Sequence, residues 1–261
     1  MKNFSTLAAS ALFLVANATS ATTLVGSDNF QQDTSGTIIG KTGGTGFASA
    51  WQSATGTTSQ VVAEMGGNRA LQLSGTNENA AFRVLTSTVT QDVFVDFTFQ
   101  YGGNNLGNND FLGLWFGSSA GPNIGLKADC GDGSCGNDLF VRTNGNSGAF
   151  LPDSALQQDQ SYHLYGHLYK SAGSTNYNKF DAWINPTALE MNTLTGADAS
   201  FSANSGIASF NTIGFRTANL DNGVSVRIDD LQISTVPEPG TIALLGLSLL
   251  GMAGVSRRRR G

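Results

Sequence analysis

Charge is sparse in this 261-residue sequence, and positive charge is sparser than negative. Charged residues make up 13% of the chain, with 14 Lys and Arg against 19 Asp and Glu. Five of the cations, Lys2 and Arg257 to Arg260, sit at the two ends, so nine remain between them. One acid, Glu238, also lies outside, which leaves 18 and a body charge near −9. Nucleic acid is excluded as a partner, because a polyanion of that kind is held through extended basic patches. The balance suits a surface protein kept soluble by its acids, or one that uses divalent cations.

Histidine and cysteine are scarcer still, at two each. His163 and His167 stand four apart, roughly 13 Å on a strand, too far to share a metal ion. Cys130 and Cys135 form a close pair in KADCGDGSCGND. In an exported protein such a pair reads as a disulfide, worth about 2 kcal/mol because its loop is short. There is no His-Glu-x-x-His pair, so one common hydrolase constellation is missing. Long amphipathic helices and internal repeats are absent from the body as well.

The sequence is rich at its ends. Met1 to Ala21 carries one basic residue, an apolar run from Leu7 to Val15, and two small-x-small sites ending at Ala18 and Ala21. That is a secretory signal peptide, cut after either residue by signal peptidase once the general secretion machinery has engaged it. The other end, from Val236 to Gly261, reads VPEPGTIALLGLSLLGMAGVSRRRRG. Pro237, Glu238 and Pro239 come first, then an uncharged run from Gly240 to Val255, then Arg257, Arg258, Arg259 and Arg260. The run is apolar on every face, as a helix in lipid is. Its sixteen residues span roughly 24 Å, a little less than the hydrocarbon layer, so arginine snorkelling or local thinning completes the crossing. The arginines hold the C-terminus on the cytoplasmic side.

This tail resembles the PEP-CTERM sorting signal of Gram-negative bacteria. The resemblance implies a membrane-embedded exosortase as partner and a transient anchor in the inner membrane. It further implies release of the body to the cell surface or the exopolysaccharide matrix. Residues 1–21 are then signal peptide, 22–235 the folded body, and 236–261 the sorting and anchor segment.

The body is strand and turn throughout. QVVAEM and RALQL flank Gly66, Gly67 and Asn68 as a hairpin. In DVFVDFTFQY, Val93, Val95, Phe97, Phe99 and Tyr101 share one face, opposite Phe94, Asp96, Thr98 and Gln100. FLGLWF is apolar throughout, as a central strand is. The segments from Ile124 to Ala128 and from Leu139 to Arg142 form a hairpin around the cysteine loop, and residues 186–210 read as loop with a short helical turn. Ten or eleven strands with frequent turn signals predict an all-β fold, an antiparallel β-sandwich of jelly-roll kind. Ser27 to Phe30, FDAWINP from Phe180, Ile213 to Phe215 and RIDDL from Arg227 resemble the concanavalin A-like lectin/glucanase superfamily. That resemblance implies that the first and last strands are neighbours and that glycan binding is common among relatives.

Three candidate sites follow. Glycosidases of this fold place carboxylates close together on one strand, but Glu64, Glu78 and Glu190 show no such spacing, and no catalytic residue is assigned. A polar-aromatic strip of His163, Tyr165, Tyr169, Asp181 and Trp183 is a candidate for stacking sugars; the plainer reading is that the histidines and tyrosines are the wet face of a strand and Trp183 is core. Calcium, which takes clustered oxygen ligands, could be held by Asp129, Asp132 and Asp138 of the cysteine loop or by Asp28 with Asp230. Asp and Asn are equally the ordinary residues of tight turns, and no cofactor is required. The expected function is a non-catalytic structural or adhesive surface protein. A lectin-like glycan-binding module is second, and a divergent glycoside hydrolase or lyase third.

Overall fold

The computed structural model describes residues 22–54, 59–64, 68–145 and 147–236. The signal segment 1–21, the Pro237-Glu238-Pro239 tripeptide, the apolar run and Arg257 to Arg260 lie outside the described residues, as do Gly66 and Gly67 of the expected hairpin turn. Among the described residues no helix is long and apolar enough to cross a membrane.

The body is all-β. Its strands are β1 (Thr23–Asp28), β2 (Gly36–Thr37), β3 (Ser59–Ala63), β4 (Arg69–Ser74), β5 (Asn77–Val89), β6 (Val93–Gly103), β7 (Phe111–Phe116) and β8 (Asn123–Lys127). They continue with β9 (Leu139–Arg142), β10 (Ala149–Phe150), β11 (Ser161–Tyr169), β12 (Lys179–Ile184), β13 (Ala199–Ser202), β14 (Phe210–Ala218) and β15 (Val224–Thr235). One helical turn, α1 (Ala188–Thr193), falls between β12 and β13. Fifteen described strands exceed the ten or eleven expected. The additions are β2 and β10, two residues each, and β13, which lies in the segment read as loop. Pieces that short carry too few residues to show a period of two.

All pairing is antiparallel, in two sheets. The nine-stranded sheet runs β13-β12-β11-β6-β15-β4-β3-β2, with β1 also on β15, and the six-stranded sheet runs β10-β9-β8-β7-β14-β5. The alternation in β6 is real: Val93, Val95 and Phe97 are fully buried between the sheets, with Phe99 and Tyr101 nearly so. Across the core Phe215 of β14 meets Phe97 edge-on at 6.5 Å and stacks against Trp51 at 6.4 Å.

The last strand holds the nine-stranded sheet together. Along one side it pairs with β6 from Val224 to Thr235, and along the other with β4 through Ser225–Ile228 and then with β1 through Leu231–Thr235. The change of partner coincides with a bulge between Asp229 and Gln232. There Asp230 adopts a left-handed φ of 53°, and its N–H donates to the Asp229 carboxylate at 2.7 Å. A bulge bends and twists its strand, which lets two end-to-end strands share one edge. First and last strands are neighbours, as the resemblance implied, with Thr23 opposite Thr235.

Candidate functional site

The outer face of the nine-stranded sheet carries the polar-aromatic strip. Register sets Tyr165 between Asp96 and Trp183, and His163 beside Thr98. The His163 Nε2 and Asp96 Oδ1 atoms are 2.6 Å apart, with both side chains about a third exposed at 29% and 34%. His167 is sandwiched between Phe94 at 4.4 Å and Tyr169 at 4.3 Å, with its Nε2 3.7 Å from Asp92. The two histidines thus face different carboxylates. Burial, then the Asp96 charge, pushes the Tyr165 hydroxyl up to about 12. Tyr169 rises to about 12 for similar reasons, with Asp181 as its hydrogen-bonded neighbour.

The strip is largely covered. Trp183 is 1% exposed and Tyr165 9%, so neither presents an open ring to a sugar. Met191, Ala197 and Val236 pack over the small cluster of Phe94, Tyr165 and Trp183, and the Trp183 indole N–H donates to the Thr195 carbonyl at 3.0 Å. The cover is α1 and the turn after it. Thr187 and Glu190 cap α1 reciprocally, each accepting from the other's backbone N–H, an arrangement that fixes a short helix start.

The hydrogen bond from Asp96 raises the pKa of His163 above its ordinary value near 6.5, and partial burial opposes it. A raised folded pKa means that the stabilisation is full below pH 6.5 and is lost as pH climbs through the folded value. We expect the protein to lose up to about 1 kcal/mol on this account between pH 6 and pH 8, since solvent screens a pair so open. Asp96→Asn should flatten that slope in urea titrations at the two pH values. A slope that is the same in both proteins would show that His163 and Asp96 do not cause it.

Three of the five acidic candidates, Asp28, Asp132 and Asp138, hold structural hydrogen bonds. Asp28 is 1% exposed. Its Oδ2 accepts from the Trp51 indole at 2.7 Å and from Arg83 at 3.0 Å, and its Oδ1 accepts from the Phe30 N–H at 2.9 Å. Asp28 and Asp230 do line one cleft of about 330 Å³. Asp229 beside it is pushed up to about 6 by burial, with the charges of Asp230, Glu64 and Asp28 adding to the rise. In the cysteine loop Cys130 and Cys135 are joined, with Cα atoms 5.6 Å apart. Asp138 accepts from the Asp129 and Leu156 backbones at 2.9 and 2.8 Å, and Asp132 from Ser134 at 2.9 Å. Asp129 and Cys130 turn the chain through left-handed φ angles of 52° and 57°. Among the described residues no group of three His, Cys, Asp or Glu side chains is arranged to hold a metal ion.

Sequence reasoning passed over the outer face of the six-stranded sheet, where Arg142 and Arg216 lie over Phe111. Alternation inside FLGLWF, which sets Phe111, Gly113 and Trp115 on one face, was the signal that could have found it.

Residues 235–260 match the PEP-CTERM protein-sorting motif. No curated protein sequence matches the chain. Among solved structures, an alginate lyase is similar over 79% of this chain and 95% of its own, at 9% identity and a TM-score of 0.50. A double mutant of that lyase in complex with alginate tetrasaccharide covers 80% and 96%, at 10% identity and 0.51. The chain HCR/D-Sa-GBL1/C is similar over 87% of this chain and 52% of its own, at 13% identity and 0.51. Likeness at such identity speaks for the fold alone. The chain is therefore an antiparallel β-sandwich that carries a PEP-CTERM sorting motif over residues 235–260, the mark of an exported protein handled by an exosortase and destined for the cell surface.

Proposed function

We propose that this protein is exosortase cargo of a Gram-negative bacterium. Its body serves the cell surface or exopolysaccharide matrix as a non-catalytic structural or adhesive component. The observation that carries the reading is where the motif begins. The match starts at Thr235, the last residue of a strand bonded on both sides, and Thr23 is its partner across the ladder. Both segments to be trimmed therefore join the sandwich at one place, and removing either leaves the sheet intact. This reading uses no catalytic residue and no cofactor.

Mass spectrometry of the native protein by cell fraction tests this. Surface or shed material should lack the signal segment and Arg257 to Arg260, and replacing Pro237, Glu238 and Pro239 by alanine should leave the protein in the membrane fraction. Recovery of the intact chain from cytosol, or of shed protein that keeps its final arginines, would overturn the proposal.

A further inference from the structure

On the outer face of the six-stranded sheet two arginines lie over one phenylalanine, and only one of them is paired with a carboxylate. The Arg142 and Arg216 guanidinium carbons lie 5.3 and 5.2 Å from the centroid of Phe111, and Arg142 is also 5.3 Å from Phe140. Arg216 Nη2 binds Glu78 at 2.8 Å. Arg142 is 8% exposed, and donates Nε to Asn123 at 2.8 Å and Nη1 to the Gly145 carbonyl at 3.3 Å. That leaves Arg142 Nη2 and Arg216 Nε buried with no hydrogen-bond partner among the described residues, and the Trp115 indole N–H on the same face is also unpartnered. Buried donors are rarely left so, and here three lie on one face.

The sequence builds this face deliberately flat. Arg216, Gly113, Gly125 and Phe140 lie in one cross-strand row, and Gly214, Trp115, Asn123 and Arg142 in the next. A Cβ at Gly113 would stand 3.0 Å from the Phe111 ring, and one at Gly214 would strike Trp115. Glycines thus leave room for both aromatic side chains, and Phe111 carries the two guanidinium groups. Burial first, and then the charge of Arg216, lowers Arg142 to about 10, as a buried cation beside a like charge should be lowered. The side chain of Arg216 is 29% exposed and that of Glu78 59%, so the pair can be reached from solvent by displacing Glu78.

We propose that this face is an anion subsite for carboxylated sugars, binding the uronate groups of an acidic polysaccharide through Arg216 and Arg142. Glu78 uses only the Nη2 donor of Arg216. A planar carboxylate can take the Nε and Nη2 edge together, the bidentate geometry for which arginine is suited. Arg142 Nη2 supplies a further donor. With a body charge near −9 the attraction is local, so the site picks out a carboxylate docked against it and does not gather polyanions at a distance. The choice of polysaccharide as the bearer rests on delivery to the matrix; the anion chemistry does not.

Binding of the purified secreted protein to polygalacturonate, and to the same polymer with its carboxyls methyl-esterified, tests this by titration calorimetry. Wild type should bind the acid form at least tenfold more tightly than the ester, and added salt should weaken it. Arg216→Gln should lose tenfold or more with its melting temperature kept. Glu78→Gln, a change at an exposed side chain, should tighten binding about threefold or more by freeing the arginine edge. Equal binding of both polymers, no binding of either, or no response to Glu78→Gln overturns the subsite. The assay contains no membrane or protease, so its failure leaves the sorting proposal standing, and missorted protein that binds leaves the subsite standing.

Discussion

Asp28→Ala should cost the body about 3–5 kcal/mol, the usual loss when one partner of a buried ion pair is removed. For a domain of this size that lowers the melting temperature by roughly 10 °C. Both side chains are almost wholly buried, at 3% for Arg83 and 0% for Asp28. Burial is the first cause acting on each group, pushing Asp28 up and Arg83 down against their mutual attraction. The pair therefore holds little net stability over an apolar replacement, and the large penalty comes from leaving one charge alone. Without Asp28, Arg83 keeps the carbonyls of Gly43 and Ser49 as hydrogen-bond acceptors but no ion-pair partner in contact among the described residues, and the Trp51 indole N–H loses its acceptor.

The reciprocal change should be milder. An arginine cannot shed its charge in a protein, whereas a carboxyl can take a proton. In Arg83→Met, Asp28 keeps Trp51 and the Phe30 N–H as donors and has lost the cation that favoured its charged form. Its folded pKa, already above the ordinary value, rises further. A carboxyl with a raised folded pKa binds more protons folded than unfolded, so the variant regains stability as pH falls through that value. Denaturant titrations at pH 7 and pH 5 should show Asp28→Ala as the weaker protein at pH 7, and a deficit for Arg83→Met that narrows on acidification. A loss near zero for Asp28→Ala would mean that the network is not closed as described.

What could be read in the sequence was what depends on near neighbours. The period of two in β6, the apolar run of β7, and the pairing of β8 with β9 around the cysteines are local patterns that tertiary structure has no reason to override. The pairing of β1 with β15 came from the resemblance, not from any local signal. Asp28 and Arg83 stand 55 residues apart. No spacing rule links them, so Asp28 read as a calcium ligand beside Asp230 or as an ordinary turn acid. Trp183 read either as a sugar-stacking ring or as core, because its cover, α1 and the turn behind it, lies in a segment with hardly any pattern. In β7 the uniform apolar run concealed two different fates. Leu112, Leu114 and Phe116 enter the core, while Phe111 and Trp115 lie on the other face, Phe111 beneath arginines from other strands. Burial on both faces leaves position in the strand, and not polarity, as the only local sign that tells them apart.

The largest effect expected is on a shortened chain. A protein ending at Val236 should fold with the melting temperature of the naturally trimmed one, and a protein ending at Asp230 should not fold at all. The five residues Leu231–Thr235 pair with β1 on one side and lie beside β6 on the other. Leu231 and Ile233 are fully buried, worth about 1.5–3 kcal/mol each. Without this segment β1 loses the strand it pairs with, and Asp28 at its end loses the hold that keeps it against Arg83, at about 3–5 kcal/mol more. Together these approach the whole stability of an ordinary domain, about 5–15 kcal/mol. Circular dichroism and protease resistance of the two truncated proteins would decide it, and a folded protein ending at Asp230 would refute the role given to β15. The consequence reaches the processing step. Although the motif match begins at Thr235, the cut must fall beyond that residue, because any earlier cut would remove part of the strand that holds the cargo together.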